Sequence, residues 1–264
     1  IRESDYPSWN WSFEKRGYDI EYVKLSEHVE EEIQEKIENN KIDVLALSLV
    51  QWLDGFSIDF EFLKKIKILY PHVLIIADGT QFCGSANFDF NNSGIDVLGA
   101  SAYKWLLAGY GNGFILFSDQ VENEFDLNTI GFNAADGNFD KKNSIRFAKQ
   151  FEPGHLSSMN FGSLKFSIDF FERIGMERIA EHNGNLSLMA KTEFKNLGLL
   201  TDRVVNRKSH STIFNIKAND AMYQKLLEND VFCAQRGDGV RLSFHFYNTE
   251  SEIDAIVKIL KTGR

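Results

Sequence analysis

Cysteine is scarce in this chain: Cys83 and Cys233 are the only two. They form neither a metal-ligand spacing nor a disulfide framework, so a reducing cytosol is the expected setting. Basic residues are not clustered either, with 29 Lys and Arg against 38 Asp and Glu and a net charge of -9 at pH 7. Without a basic block, a nucleic-acid backbone has nothing to dock on. The negative excess bears on solubility and little else. No apolar run approaches the roughly 18 residues that span a bilayer, and no membrane partner is expected. The front carries no secretory leader pattern. The first residue is Ile1, not Met, which raises the expectation of further residues ahead of it. Repeats and low-complexity tracts are also missing.

The chain has 264 residues, of which 43% are apolar and 25% charged. That is ordinary globular composition, with room for one large core and a smaller one. Tyr18 to Leu25 alternates like a strand. His28 to Asn39 carries Val29, Ile33 and Ile37 at helical spacing, and Ile58 to Tyr70 carries Leu63, Ile66 and Tyr70 likewise before Pro71 stops it. Four apolar runs, Asp43–Val50, Val73–Ala77, Ile95–Ala100 and Gly113–Ser118, read as strands buried on both faces. Their alternation with helical patterns predicts an α/β fold with a mostly parallel sheet, whose ligands collect at the carboxyl ends of the strands. Residues 126–154 read as an irregular excursion. Helices are predicted over Ser157–Ile174 and Glu177–Leu197, broken at Gly175. After them come strands at Ser211–Ile216, Val231–Ala234 and Val240–Phe246, and helices at Asp220–Glu228 and from Thr249, where Thr249-x-x-Glu252 spells a capping box. The expected division is a large domain over 1–175 and a smaller α+β domain over 176–264.

The chemistry concentrates at two strand ends. Ser101-Ala102-Tyr103-Lys104-Trp105 follows the third apolar run and precedes the glycine turn Gly109-Tyr110-Gly111-Asn112-Gly113. A lysine held there is partly desolvated, which lowers its pKa and suits it to imine formation. A lysine snorkelling at a strand end has the same local sequence. Ala77-Asp78-Gly79-Thr80-Gln81 follows the second run. A carboxylate there needs a cationic partner or several hydrogen bonds; an Asp turn or helix N-cap is the plainer alternative. Together, an Asp ending one strand and a Lys just past the next supply what pyridoxal phosphate requires. The amine takes the aldehyde, and the carboxylate keeps the pyridine nitrogen protonated. Ser101 and Tyr103 offer hydroxyls to the phosphate.

On these residues the chain resembles the class V aminotransferase family, the fold-type I pyridoxal-phosphate enzymes (aspartate aminotransferase-like) that include cysteine desulfurases, kynureninase and isopenicillin N epimerase. The family's Asp-x-x-Gln corresponds to Asp78–Gln81, and its Ser-x-His-Lys to Ser101–Lys104. By this resemblance Lys104 is the Schiff-base lysine, Asp78 pairs with the pyridinium nitrogen, Gln81 bonds the ring hydroxyl, and Ser101 holds the phosphate. Tyr103 stands where the family has histidine. Gly239-Val240-Arg241-Leu242-Ser243-Phe244-His245-Phe246-Tyr247-Asn248-Thr249 is similar to the family's closing signature, which makes Arg241 the bidentate clamp on the substrate α-carboxylate. A surface arginine paired with Asp238 or Glu250 is the competing reading. Phe151-Glu152-Pro153-Gly154 resembles the family's Phe-Glu-x-Gly-Thr, with His155 in place of the phosphate-binding threonine.

The chain departs from the pattern elsewhere. Gln51 and Trp52 occupy a segment that commonly carries His and Asn near the cofactor; a role at the site and plain packing are both open. Cys233 lies eight residues before Arg241 in a strand-like run, so it reads as structural and not as a desulfurase nucleophile. The family's early phosphate-binding turn has no counterpart in residues 1–26. The resemblance implies a homodimeric enzyme that acts on an amino acid, with transamination as the default reaction. The alternatives are a cysteine desulfurase, lyase or epimerase, or a non-catalytic fragment of the fold. A dinucleotide-binding domain is disfavoured because Gly109-x-Gly111-x-Gly113 precedes a strand instead of opening a helix.

Overall fold

The computed structural model describes residues 1–262 except 126, 128 and 209. The four apolar runs form β1 (Val44–Ser48), β2 (Leu74–Asp78), β3 (Val97–Ser101) and β4 (Gly113–Phe117), side by side in that order. The first three are parallel and β4 runs antiparallel to β3. The register pairs Ser48 with Asp78 and Asp78 with Gly99, so the carboxyl ends of β1, β2 and β3 share one edge of the sheet.

Helices α1 (Pro7–Glu14), α2 (Val29–Asn39) and α3 (Phe60–Leu69) belong to this half. Proline opens α1, where its missing N–H is no loss. In α2 the expected Val29, Ile33 and Ile37 are the buried residues. Asp59 caps α3 by accepting from the Glu61 N–H at 2.9 Å. Leu63 and Ile66 of α3 pack with Leu47 and Ile75 of the strands into one core. Fully burying each such side chain stabilises the fold by about 1.5–3 kcal/mol.

Helices α4 (Ser158–Ile174) and α5 (Met176–Asn196) meet at Gly175, whose φ of 95° lies in the left-handed region. Beyond them come α6 (Asp202–Asn206), β5 (Ile213–Ile216), α7 (Asp220–Glu228), β6 (Ala234–Arg236), β7 (Gly239–Ser243) and α8 (Glu250–Lys261). The strands form an antiparallel sheet in the order β5-β7-β6. A second core gathers Phe194 of α5, Phe214 of β5, Leu242 of β7, and Ile253 and Val257 of α8. The capping box at Thr249 and Glu252 forms as its sequence predicts.

Two expected strands differ. Tyr18–Leu25 makes only the isolated bridge Arg2↔Val23, because its partner is the short N-terminal segment, which turns into α1. Val231–Ala234 pairs only from Ala234 onward. The hairpin turn aligns Arg236 with Gly239 and Ala234 with Arg241, and the ladder stops there. Cys233 therefore precedes β6 instead of lying within it.

One buried histidine sets an acid limit on stability. His210 stacks on Phe214 at 4.7 Å, and its Nε2 is buried with no hydrogen-bond partner among the described residues. Burial lowers its pKa from 6.5 to about 4. The unfolded chain therefore binds the proton first, and stability falls as the pH drops from 6.5 to about 4. His210→Phe is expected to flatten that fall in a series of thermal melts. A wild-type loss of Tm over this window that His210→Phe leaves unchanged would assign the acid sensitivity to other groups.

Candidate active site

Asp78 ends β2 with its carboxylate at the shared strand edge. Its Oδ1 accepts from the Thr80 N–H at 2.9 Å, and its Oδ2 accepts from the Ser48 hydroxyl at 3.4 Å. No lysine or arginine pairs with it among the described residues. The end of β1 is itself held by a buried ion pair: Arg2 bonds Asp5 at 2.7 Å and donates to the Ser48 carbonyl, while Asp5 accepts from the Ser48 N–H at 2.9 Å. Glycine at 79 lets the chain pass close to two side chains: a Cβ there would lie 2.7 Å from Cys83 Sγ and 2.9 Å from Leu98 Cδ1, so both would have to shift. Burial raises the Cys83 thiol to about 12, with a further push from Asp78, so it stays protonated.

Thr80 joins the two strand ends, a role its sequence context does not signal. Its hydroxyl accepts from the Ser101 N–H at 3.1 Å while its own N–H serves Asp78. The Ser101 hydroxyl has no protein partner among the described residues. Past Ser101 the chain turns tightly: Leu107 N–H bonds the Lys104 carbonyl at 2.9 Å, and Ala108 N–H bonds the Ala102 carbonyl at 3.0 Å. Leu107 takes a φ of 55°, a backbone position that costs a branched side chain about 1–3 kcal/mol. Helix α4 holds the far side of this turn, with Ser167 donating to the Leu106 carbonyl and Ser163 accepting from Gly109 N–H.

Lys104 is half-buried, and its amine makes no hydrogen bond or ion pair among the described residues. It sits 5.7 Å from the ring centres of both Tyr6 and Tyr103. Burial lowers its pKa, the Asp78 charge opposes that shift, and Arg241 reinforces it. The charges of Asp78 and Arg241 are thus both felt at the amine, although the three residues are remote in sequence. Tyr6 packs edge-on against Trp52 at 5.7 Å and forms a wall beside Lys104. No pattern in the sequence pointed to Tyr6.

Gln81 is buried, and its Oε1 accepts from Trp105 Nε1 at 2.8 Å. That bond orients the amide and leaves its nitrogen as a donor with no protein acceptor among the described residues. Tyr103 is exposed and stacks on Tyr110, their rings 4.7 Å apart. Arg241, on β7, donates from Nη1 to the Trp52 carbonyl at 2.9 Å. Neither Asp238 nor Glu250 forms an ion pair with it among the described residues. Gln51 is consumed internally: it donates to the Ser4 carbonyl at 2.7 Å and accepts from the Asp54 N–H at 3.1 Å. His155 is exposed and has no hydrogen bond among the described residues. Cys233 is half-buried against the second core, and burial raises its pKa.

The Aminotransferase class-V family profile matches residues 4–256. The chain belongs to the class V aminotransferase family. It is 24% identical over 254 residues to a probable cysteine desulfurase of Borreliella burgdorferi, which covers 86% of this chain and 59% of that protein. It is 24% identical over 273 residues to a probable cysteine desulfurase of Methanothermobacter thermautotrophicus, covering 94% of this chain and 67% of that one. The chain thus spans 59 to 67% of the length of these two relatives. Among solved structures, the apo cysteine desulfurase of Thermococcus onnurineus NA1 superposes with a TM-score of 0.80 at 18% identity, covering 96% of this chain and 68% of that one. The cystine C–S lyase C-DES, in complex with its reaction product cysteine persulfide, gives 0.82 at 17% identity, covering 98% and 73%. At these identities the structural likeness shows the class V aminotransferase fold. No helix among the described residues is long and apolar enough to cross a membrane.

Proposed function

We propose that this class V aminotransferase-family chain is a pyridoxal-phosphate enzyme acting on an amino acid, with Lys104 as its covalent attachment point. The observation that carries the reading is one convergence. A partly desolvated lysine amine feels both a strand-end carboxylate, Asp78, and a guanidinium, Arg241, and none of the three forms an ion pair among the described residues. The donor set fits the cofactor. Asp78 offers a carboxylate to a pyridinium nitrogen, Gln81 Nε2 a donor to a ring oxygen, and Ser101 Oγ a donor to phosphate. When bound, the cofactor supplies an aldehyde for amines and a ring that accepts electrons from the substrate Cα.

The protein's own residues then divide the work. Thr80 and Ser48 donate to the Asp78 carboxylate and orient it at the strand edge. The Trp105 indole keeps the Gln81 amide from turning. Lys104, with its amine released, takes the proton from Cα. A neutral amine is needed for both of its tasks, and its partial burial favours that form. Arg241 receives the α-carboxylate, which fixes the Cα–H bond relative to Lys104. Borohydride treatment of the protein incubated with pyridoxal phosphate tests the reading. The cofactor mass is expected on the Lys104 peptide and on no other. Its absence there would sink the proposal.

Transamination is the reading we carry forward, and the names of the relatives favour sulfur removal from cysteine as the second. Desulfuration would need a reactive thiol, whereas burial keeps both Cys83 and Cys233 protonated. Cys233→Ala is expected to change turnover by less than about twofold, as a substitution away from the reacting atoms does. Strong sulfide release from cysteine that disappears in Cys233→Ala would reverse the ranking. A homodimer in the cytosol belongs to the same proposal. It is supported by two unpaired thiols and by exposed apolar residues on α4 such as Met159 and Phe166.

A further inference from the structure

Four residues beyond Arg241 lies a histidine that the chemistry above does not use. His245 is 3% exposed, and both of its ring nitrogens are engaged. Nε2 lies 2.8 Å from the Trp105 carbonyl, which can only accept, so Nε2 carries the proton. Nδ1 lies 3.3 Å from Asn183 Nδ2, which also donates to the Ser85 carbonyl at 2.8 Å. Turning the Asn183 amide over would put an oxygen against that carbonyl, so Nδ1 accepts. The ring is thus a neutral imidazole with a fixed tautomer. Its plane meets the Trp105 indole edge-on at 5.0 Å, and Phe171, Phe246 and Tyr247 close around it.

The residue it holds is the one next to Lys104. From Trp105 the contact continues, because the indole N–H is the donor that orients Gln81. A glycine admits the arrangement: at Gly84 a Cβ would lie 2.6 Å from the Trp105 carbonyl oxygen, and the φ there is 98°. We propose that His245 is a positioning residue, which locks the Lys104 turn and the Gln81 amide in register with the strand that carries Arg241. Arg241 lies within β7 and His245 two residues past its end, so one short segment carries both the group that receives the carboxylate and the group that holds the lysine turn. This inference rests on the pyridoxal-phosphate reading of the same site. A histidine that merely filled the core would act through its volume, whereas this one acts through a single donated hydrogen bond.

The test compares His245→Leu, which keeps volume and loses the donor, with His245→Gln, whose amide nitrogen can reach the same carbonyl. The first readout needs no cofactor: the pH profile of acetylation at Lys104, resolved by peptide mass. Lys104 responds to its burial, to Asp78 and to Arg241. In His245→Leu the turn loosens and the amine gains water. The midpoint is expected to rise by about half a unit or more, a roughly threefold slower labelling at a fixed pH below it. His245→Gln is expected to stay near wild type. The second readout is the fraction of Lys104 carrying borohydride-fixed cofactor at limiting pyridoxal phosphate, expected to fall in Leu and recover in Gln. An unchanged acetylation profile in His245→Leu, or a Gln variant no better than Leu, overturns the proposal. Should His245→Leu not fold, Trp105→Phe carries the test: it removes the N–H donated to Gln81 together with part of the indole ring, and it keeps the backbone carbonyl that His245 bonds. Weaker cofactor binding in Trp105→Phe supports the relay, and unaltered binding refutes it. Wild-type protein that never takes the cofactor on Lys104 refutes the pyridoxal-phosphate reading instead, and the acetylation profile still judges His245.

Discussion

Lys104→Met is expected to abolish covalent capture of pyridoxal phosphate and to cut turnover by roughly a thousandfold or more, the scale of losing a nucleophile that also serves as general base. No other lysine in the described structure combines partial burial with the charges of Asp78 and Arg241. The residual rate is not expected to recover at high pH, because among the described residues no other lysine acts on the Lys104 amine beside Asp78 and Arg241. The same substitution is expected to stabilise the fold at neutral pH. Burial lowers the Lys104 pKa, so the protonated amine costs folding free energy, and that cost disappears as the pH rises through the folded pKa toward 10.5. The variant should therefore melt higher than wild type at neutral pH, with the gap closing in alkaline buffer. A stabilised, inactive protein is the signature of strain kept for function. A variant that still shows the cofactor on a borohydride-reduced peptide, or retains most of its turnover, would remove Lys104 from the mechanism.

Arg241→Leu comes second. A bidentate pair with a carboxylate is two charge-assisted hydrogen bonds, and losing it costs about 3 kcal/mol, or roughly a hundredfold in kcat/KM. Because the α-carboxylate is bound before and during proton transfer, most of the loss is expected in KM, with a smaller fall in kcat from the misplaced Cα–H. Arg241→Lys is expected to recover little, since an ammonium cannot reproduce the planar fork. Amines without a carboxylate provide the control: their slow reaction should be nearly the same in wild type and Arg241→Leu. A uniform loss for both kinds of substrate would instead mean that the bond from Arg241 to the Trp52 carbonyl matters through the fold.

The site was legible in the sequence where its residues sit beside strong local patterns. Asp78 and Ser101 each terminate a buried apolar run, and parallel strands must place such termini on one edge. Arg241 was legible through the segment around it, though its freedom from Asp238 and Glu250 was open until the β7 register placed it. Tyr6, Thr80 and His245 were not legible. Thr80 looks like any hydroxyl residue in a turn, and Tyr6 looks like one more surface aromatic. His245 meets Trp105 across 140 residues of chain, and no periodicity encodes a contact of that span. The two misjudged strands fail for a related reason: alternation shows that a segment can pair, whereas pairing needs a neighbour that stays alongside.

By itself, then, the sequence determined the α/β architecture, the strands whose ends carry the candidate site, and the placing of Asp78, Gln81 and Lys104 beside those ends, because burial patterns and strand ends are local properties of the chain. Only the tertiary structure decided which charges act together and what holds the lysine turn in place. Those outcomes depend on desolvation and on hydrogen bonds between residues far apart in sequence, and both exist only once the two cores have brought the segments into contact.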